Sequence, residues 1–129
     1  MRHEEHQEQV ALMRWWSLAH SRYHVPEKLL FAVPNGGRRD AVTGARLKAE
    51  GVRAGVPDLF LAVPVGPYGG LWLELKAAKG RPSEAQKVMM HLLEASGYAV
   101  CVAQGWDAAS VAIEKYLGSC ARKEEQYAE

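Results

Sequence analysis

Apolar positions return along this chain in two rhythms. Between residues 4 and 21, Val10, Met13 and Trp16, with Leu12 and Ala19, recur at helical spacing. Leu29 to Val33 is a short apolar run read as a strand, ended by the turn signals of Pro34-Asn35-Gly36-Gly37. Ala41 to Glu50 reads as a helix stopped by Gly51. Two further apolar runs, LFLAV and LWLEL, flank the turn-rich PVGPYGG at 64–70 and predict a β-hairpin. Ser83 to Ser96 reads as a helix with Ala85, Val88, Met89, Leu92 and Leu93 as its core stripe, which leaves His91 exposed. Tyr98 to Ala103 predicts a buried central strand, and Trp106 to Leu117 a last helix closed by Gly118. The resulting order is helix, strand, helix, strand, strand, helix, strand, helix. It predicts one α/β domain over 1–118, with 119–129 as a polar, frayed tail.

The hairpin concentrates the candidate chemistry. Asp58 opens its first run, directly after a proline, and the second run carries Glu74 and Lys76. Side chains alternate across a strand, so Trp72, Glu74 and Lys76 share one face and Leu71, Leu73 and Leu75 the other. Pairing Asp58 beside Glu74 would bring two carboxylates and an ammonium together. Adjacent carboxylates repel unless a proton or a cation lies between them. Their hard oxygens suit Mg²⁺, which keeps several waters and often meets phosphate. A lysine at such a site can orient attacking water or offset developing negative charge.

Charge changes the picture locally rather than globally. The formal net charge is only +1. Between Pro34 and Lys87, however, nine basic residues (38, 39, 46, 48, 53, 76, 79, 81 and 87) stand against five acids (40, 50, 58, 74 and 84). Two of those acids are the candidate ligands, so the surroundings of the site favour a polyanion. Cys101 and Cys120 form no metal-ligand spacing and no disulfide framework, which suits a reducing cytoplasm, and Cys101 reads as a buried small hydrophobe. The histidines at 3, 6, 20 and 24 show no metal-binding pattern, and His6, next to Glu5, is the one that could enter the site. No apolar run is long enough for a membrane span, and the N-terminus lacks the apolar centre of a secretion signal.

Pro57-Asp58, fifteen further residues and then Glu74-Leu75-Lys76 resemble the PD-(D/E)xK nuclease signature. Asn35-Gly36-Gly37, the run Gly51 to Asp58, the run Leu71 to Lys76, and Gly80-Arg81 to Gln86 stand in the order found in the VRR-NUC family. The likeness runs from about residue 4 to 117 and is nearest to the small stand-alone form of phages and bacteria. It implies a restriction-endonuclease-like core, with a central mixed β-sheet flanked by helices. It further implies a Mg²⁺- or Mn²⁺-dependent DNA nuclease selective for branched structures, and a Holliday-junction resolvase in particular. Flap or other branched DNA, or a non-catalytic nucleic-acid-binding role, are the alternatives. Two symmetric cuts in a four-way junction make a homodimer the economical design. The expected setting is the cytoplasm of a bacterial or phage-infected cell.

The same resemblance suggests roles for single residues. Asp58, Glu74 and the Leu75 carbonyl would hold the metal, and Lys76 would act on the attacking water. Glu5, on the N-terminal helix, would supply a further carboxylate, directly or through water. Glu8 is its rival for that position, and favouring the helix dipole is the plain alternative for either. Gln86 is expected either to close a capping box with Ser83 or to bond near the active site. One amide serving both fully is not expected. Gly36, Gly37, Arg38, Arg53, Lys79 and Arg81 are the candidate substrate contacts.

Overall fold

Four strands form one sheet in the order β1-β2-β3-β4. The computed structural model describes residues 2–34 and 41–127, and side chains over 4–34 and 41–118. Its elements are α1 (Arg2–Ala19), β1 (Leu30–Ala32), α2 (Ala41–Ala49), β2 (Leu59–Leu61), β3 (Leu71–Lys76), α3 (Glu84–Ala95), β4 (Ala99–Gln104) and α4 (Trp106–Tyr127). Two short 3-10 turns, His20–Tyr23 and Glu27–Leu29, lead from α1 into β1. The element order is the one the hydrophobic rhythm predicts. The mixed α/β class with helices about a central sheet is therefore the observed one.

The hairpin pairs antiparallel, with Leu59 opposite Leu73 and Leu61 opposite Leu71. β1 joins β2 antiparallel. β4 lies parallel to β3, as the crossover through α3 permits. One face of the sheet, carrying Leu59, Leu61, Leu71, Leu73 and Leu75, closes the core against Leu12 and Trp16 of α1 and Ile113 and Leu117 of α4. The Trp16 indole N–H reaches the Glu27 carbonyl at 2.8 Å, and the Tyr116 hydroxyl donates to the Val63 carbonyl at 2.6 Å. These two bonds fasten the helix layer to the turn before β1 and to the hairpin loop. α3 begins over the opposite face, where Glu74 points. α2 has no buried residue at all.

Several expectations need correction. β4 is an edge strand, not a central one: among the described residues β3 flanks it on one side and no strand on the other. Its apolar run is half-buried at Ala99 to Cys101, and Val102 is exposed. Cys101 is accordingly half-buried, with its thiol pKa pushed up by that burial. On α3 the inward residues are Gln86, Met89, Met90 and Leu93, whereas Ala85, Val88 and Leu92 face solvent. The stripe was read one step out of phase because Gln86, a polar residue, marks the inward side. His91 is exposed as expected. On α1, Val10 is exposed and the buried line is Leu12, Trp16 and Ala19. α4 does not stop at Gly118 but continues through the segment expected to fray.

Candidate active site

The face of the sheet turned towards α3 is ordered in cross-strand rows. Phe31, Phe60 and Trp72 stand in register, with Val100 opposite Trp72 on β4. Two residues further along the strands, roughly 7 Å away, the same register brings Asp58 beside Glu74. Val33 donates its N–H to the Asp58 carbonyl at 2.7 Å and closes the β1 end of that second row. A third row begins at Lys76, opposite Gln104. The hairpin register thus converts a sequence gap of sixteen residues into direct juxtaposition.

The carboxylates are held from several sides. Asp58 Oδ2 accepts the Leu75 N–H at 2.8 Å. Glu74 Oε1 accepts the Asp58 N–H at 3.2 Å. Glu74 Oε2 takes the Gln86 amide at 2.5 Å and the Lys76 ammonium at 3.2 Å. Glu74 is only 1% exposed. Its pKa is raised to about 7, first by burial and then by the Asp58 charge, against the opposing pull of Lys76. Asp58 is also raised, chiefly by burial, with Glu5 adding to the push. A buried and a half-buried carboxylate held side by side, both with raised pKa, repel each other, and a proton or a cation between them relieves that repulsion.

Gln86 does what was not expected of one side chain. Its Oε1 accepts the Ser83 N–H at 2.8 Å, while Ser83 Oγ accepts the Gln86 N–H at 3.2 Å, so the capping box of α3 is complete. Its Nε2 meanwhile donates to Glu74. An amide carries an acceptor at one end and donors at the other, so the two roles use different atoms. The arrangement also fixes the orientation of the amide, since only its oxygen can meet an N–H and only its NH₂ a carboxylate. Gly55 lets this happen. It has φ +86, and a Cβ there would lie 2.3 Å from the Ala85 carbonyl oxygen. Glycine alone allows the 51–58 segment to lie against the first turn of α3.

A cleft of about 530 Å³ opens over the second row. Asp58, Glu74, Leu75, Lys76 and Gln86 line one side, and Glu5, His6 and Gln9 of α1 line another. The structure therefore brings Glu5 to the cleft and takes Glu8 away from it. Glu8 Oε2 accepts the Trp106 N–H at 2.8 Å and caps α4. Arg53, Lys79 and Arg81 are exposed and do not line the cleft. Gly36, Gly37 and Arg38 fall outside the described residues. Gln9, one turn after Glu5 on the same stripe, is a lining residue not singled out as a candidate. Its spacing from Glu5 was the available signal.

The donors fit a hard divalent cation. Asp58 and Glu74 offer adjacent oxygens, and the preceding Pro57 has no amide hydrogen with which to extend the strand ladder towards Leu75. Among the described residues no three His, Cys, Asp or Glu side chains form a ready-made cage. Such a sparse donor set suits an ion that keeps part of its water shell.

Comparisons with known proteins bear on the family and the fold. The model of the VRR-NUC domain matches residues 3–107. A solved structure described as a VRR_NUC domain protein superposes with a TM-score of 0.76 and 27% sequence identity, covering 90% of this chain and 89% of the other. No curated protein matches. With a family match across most of the chain and the fold of a solved member, the chain belongs to the VRR-NUC family of nuclease domains.

Proposed function

We propose that the chain is a Mg²⁺- or Mn²⁺-dependent endonuclease that hydrolyses DNA phosphodiester bonds in branched structures, four-way junctions foremost. The observation that carries this is the Asp58–Glu74 pair with Lys76 beside it, Nζ 3.2 Å from Glu74, at the wall of an open cleft. Asp58, Glu74 and the Leu75 carbonyl hold the cation. When bound there, it polarises the scissile phosphate and lowers the pKa of water. Gln86 locks the Glu74 rotamer. Lys76 orients the attacking water in line with the leaving oxygen and offsets negative charge as the transition state forms. Glu5 faces the pair across the cleft and holds water, or a second ion, on that side. Arg38, Arg53, Lys79 and Arg81, with Gly36 and Gly37, hold the DNA backbone, and a homodimer supplies two cuts to a symmetric junction.

The test is cleavage of a labelled panel containing a four-way junction, 5′ and 3′ flaps, a splayed arm and plain duplex. Each is run with Mg²⁺, Mn²⁺ and EDTA beside Lys76→Ala. Paired symmetric cuts in the junction, lost with EDTA and in the variant, are the expected result. Cuts confined to flaps would replace the substrate and keep the chemistry. Binding without any cutting would leave a nucleic-acid-binding module instead.

A further inference from the structure

The row next to the carboxylates is aromatic, and its packing is uneven. Phe60 and Trp72 lie with ring centroids 4.3 Å apart. Tyr98 closes one end, 5.9 Å from Phe60 and 6.3 Å from Trp72. The Phe60 ring covers Gly70, where a Cβ would sit 2.6 Å from it. These three rings are half-buried and are explained as sheet packing. Phe31 is different. It stands nearly perpendicular to Phe60 at 5.9 Å, on the outermost strand, and is 43% exposed. Burial does not explain a phenylalanine there. Its position relative to the cleft does: β1 carries Phe31 and then lines the cleft through Ala32, Val33 and Pro34. Phe31 and Asp58 project from the same face, in adjacent rows roughly 7 Å apart along the strands. That is the scale of one nucleotide step along an extended single strand.

We propose that Phe31 is a stacking site for one unpaired base, the base next to the phosphodiester that is cut. The inference deepens the nuclease reading above and rests on it. A flat aromatic surface binds a base without reading its identity, because every base has a π-face. A duplex base cannot leave its stack without an energetic penalty, whereas a nucleotide at a branch point is already free. A ring at this distance therefore favours cleavage beside an unpaired nucleotide whatever its sequence, which is selectivity for structure. A strand with its base on Phe31 and its phosphate at Asp58 would pass over Val33, which lines the cleft between them.

The experiment is a double-mutant cycle read in binding. Fluorescence anisotropy in EDTA measures the affinity of wild type, Phe31→Ala and Phe31→Trp for a splayed-arm DNA. A single abasic nucleotide is moved stepwise through its unpaired arms, and cleavage with Mg²⁺ locates the cut on the intact DNA. At one position beside the cut, removing the base is expected to weaken wild-type binding by about 5- to 150-fold. The same lesion should leave Phe31→Ala nearly unchanged and Phe31→Trp as sensitive as wild type. Equal sensitivity in wild type and Phe31→Ala at every position overturns the proposal. So does a Phe31→Ala chain that loses affinity only because light scattering shows a dimer falling apart, since a second copy then covers the ring. Coupling without cleavage by any chain would keep the stacking site and reject the nuclease. Cleavage without coupling would do the reverse, and no DNA binding at all rejects both.

Discussion

Asp58 and Glu74 differ in what their oxygens touch, so the same kind of substitution acts on them in opposite directions. Asp58 Oδ2 accepts from Leu75, and the side chain otherwise faces the Glu74 carboxyl. In Asp58→Asn the amide oxygen keeps the Leu75 bond and the new NH₂ donates to Glu74. The repulsion between the two carboxylates disappears, and metal-free stability should rise by about 1–2 kcal/mol. Glu74, in contrast, accepts at both oxygens, from Asp58 N–H on one and from Gln86 and Lys76 on the other. Glu74→Gln turns an NH₂ towards a donor whichever way it rotates and should cost about 1–3 kcal/mol. Urea unfolding in EDTA near pH 8 measures both, and both variants should lose cleavage. The raised pKa of the pair also sets a pH dependence. Because Glu74 titrates at about 7 rather than 4.5, the metal-free native protein holds a proton that the unfolded chain has released. The resulting stability is full below about 4.5 and is lost as pH rises through about 7. Thermal unfolding in EDTA should show a falling midpoint across that window, with a shallower fall in Asp58→Asn.

Elements position these residues, and two of the contacts that do so are single and testable. Glu8 joins α1 to the start of α4 through one charge-assisted hydrogen bond to Trp106. Glu8→Ala should cost about 1–2 kcal/mol of stability and leave the cleft chemistry largely in place. Glu5→Gln should do the opposite, with little change in unfolding and a large loss of cleavage rate. Chemical denaturation and kinetics on the two variants check this in parallel. Gly55→Ala forces a Cβ towards the Ala85 carbonyl from a left-handed backbone. It should lower stability by about 2 kcal/mol or more and displace Gln86 from Glu74, slowing cleavage as well.

The same elements show what was legible in the sequence. The hairpin and its site were, because a strand's period of two fixes faces and the proline- and glycine-rich loop marks where the chain reverses. Glu5 was favoured over Glu8 by the family resemblance, but helical spacing alone did not separate them, because both lie on the inward half of α1. What separates them is where α4 begins, nearly a hundred residues away in the chain. The phase of α3 was misread because hydrophobicity alone assigns Val88 and Leu92 inward. The side that in fact faces the sheet is set by Gln86 bonding to a buried carboxylate. β4 was read as central because an apolar run reports burial by helices as readily as burial by strands.

At the scale of the molecule the sheet has β1 and β4 as its outer strands among the described residues, and α2 carries no buried residue. No described helix is long and apolar enough to cross a membrane. With a net charge of only +1, the proposed DNA binding would be local to the basic surroundings of the cleft. Affinity should therefore fall steeply with salt, and Arg53→Ala, Lys79→Ala and Arg81→Ala should each flatten that dependence. Light scattering at working concentration should give twice the mass of one chain, and a monomer would count against the junction reading. Gln86 carries a consequence at this scale too. Its amide is shared between the first turn of a helix and a carboxylate that changes charge. Fraying at the start of α3 and the ionisation of Glu74 are therefore coupled equilibria, and coupling of this kind is reciprocal. Whatever fills the cleft will slow the exchange of backbone hydrogens in that turn, and whatever loosens the turn will weaken the hold on what fills the cleft.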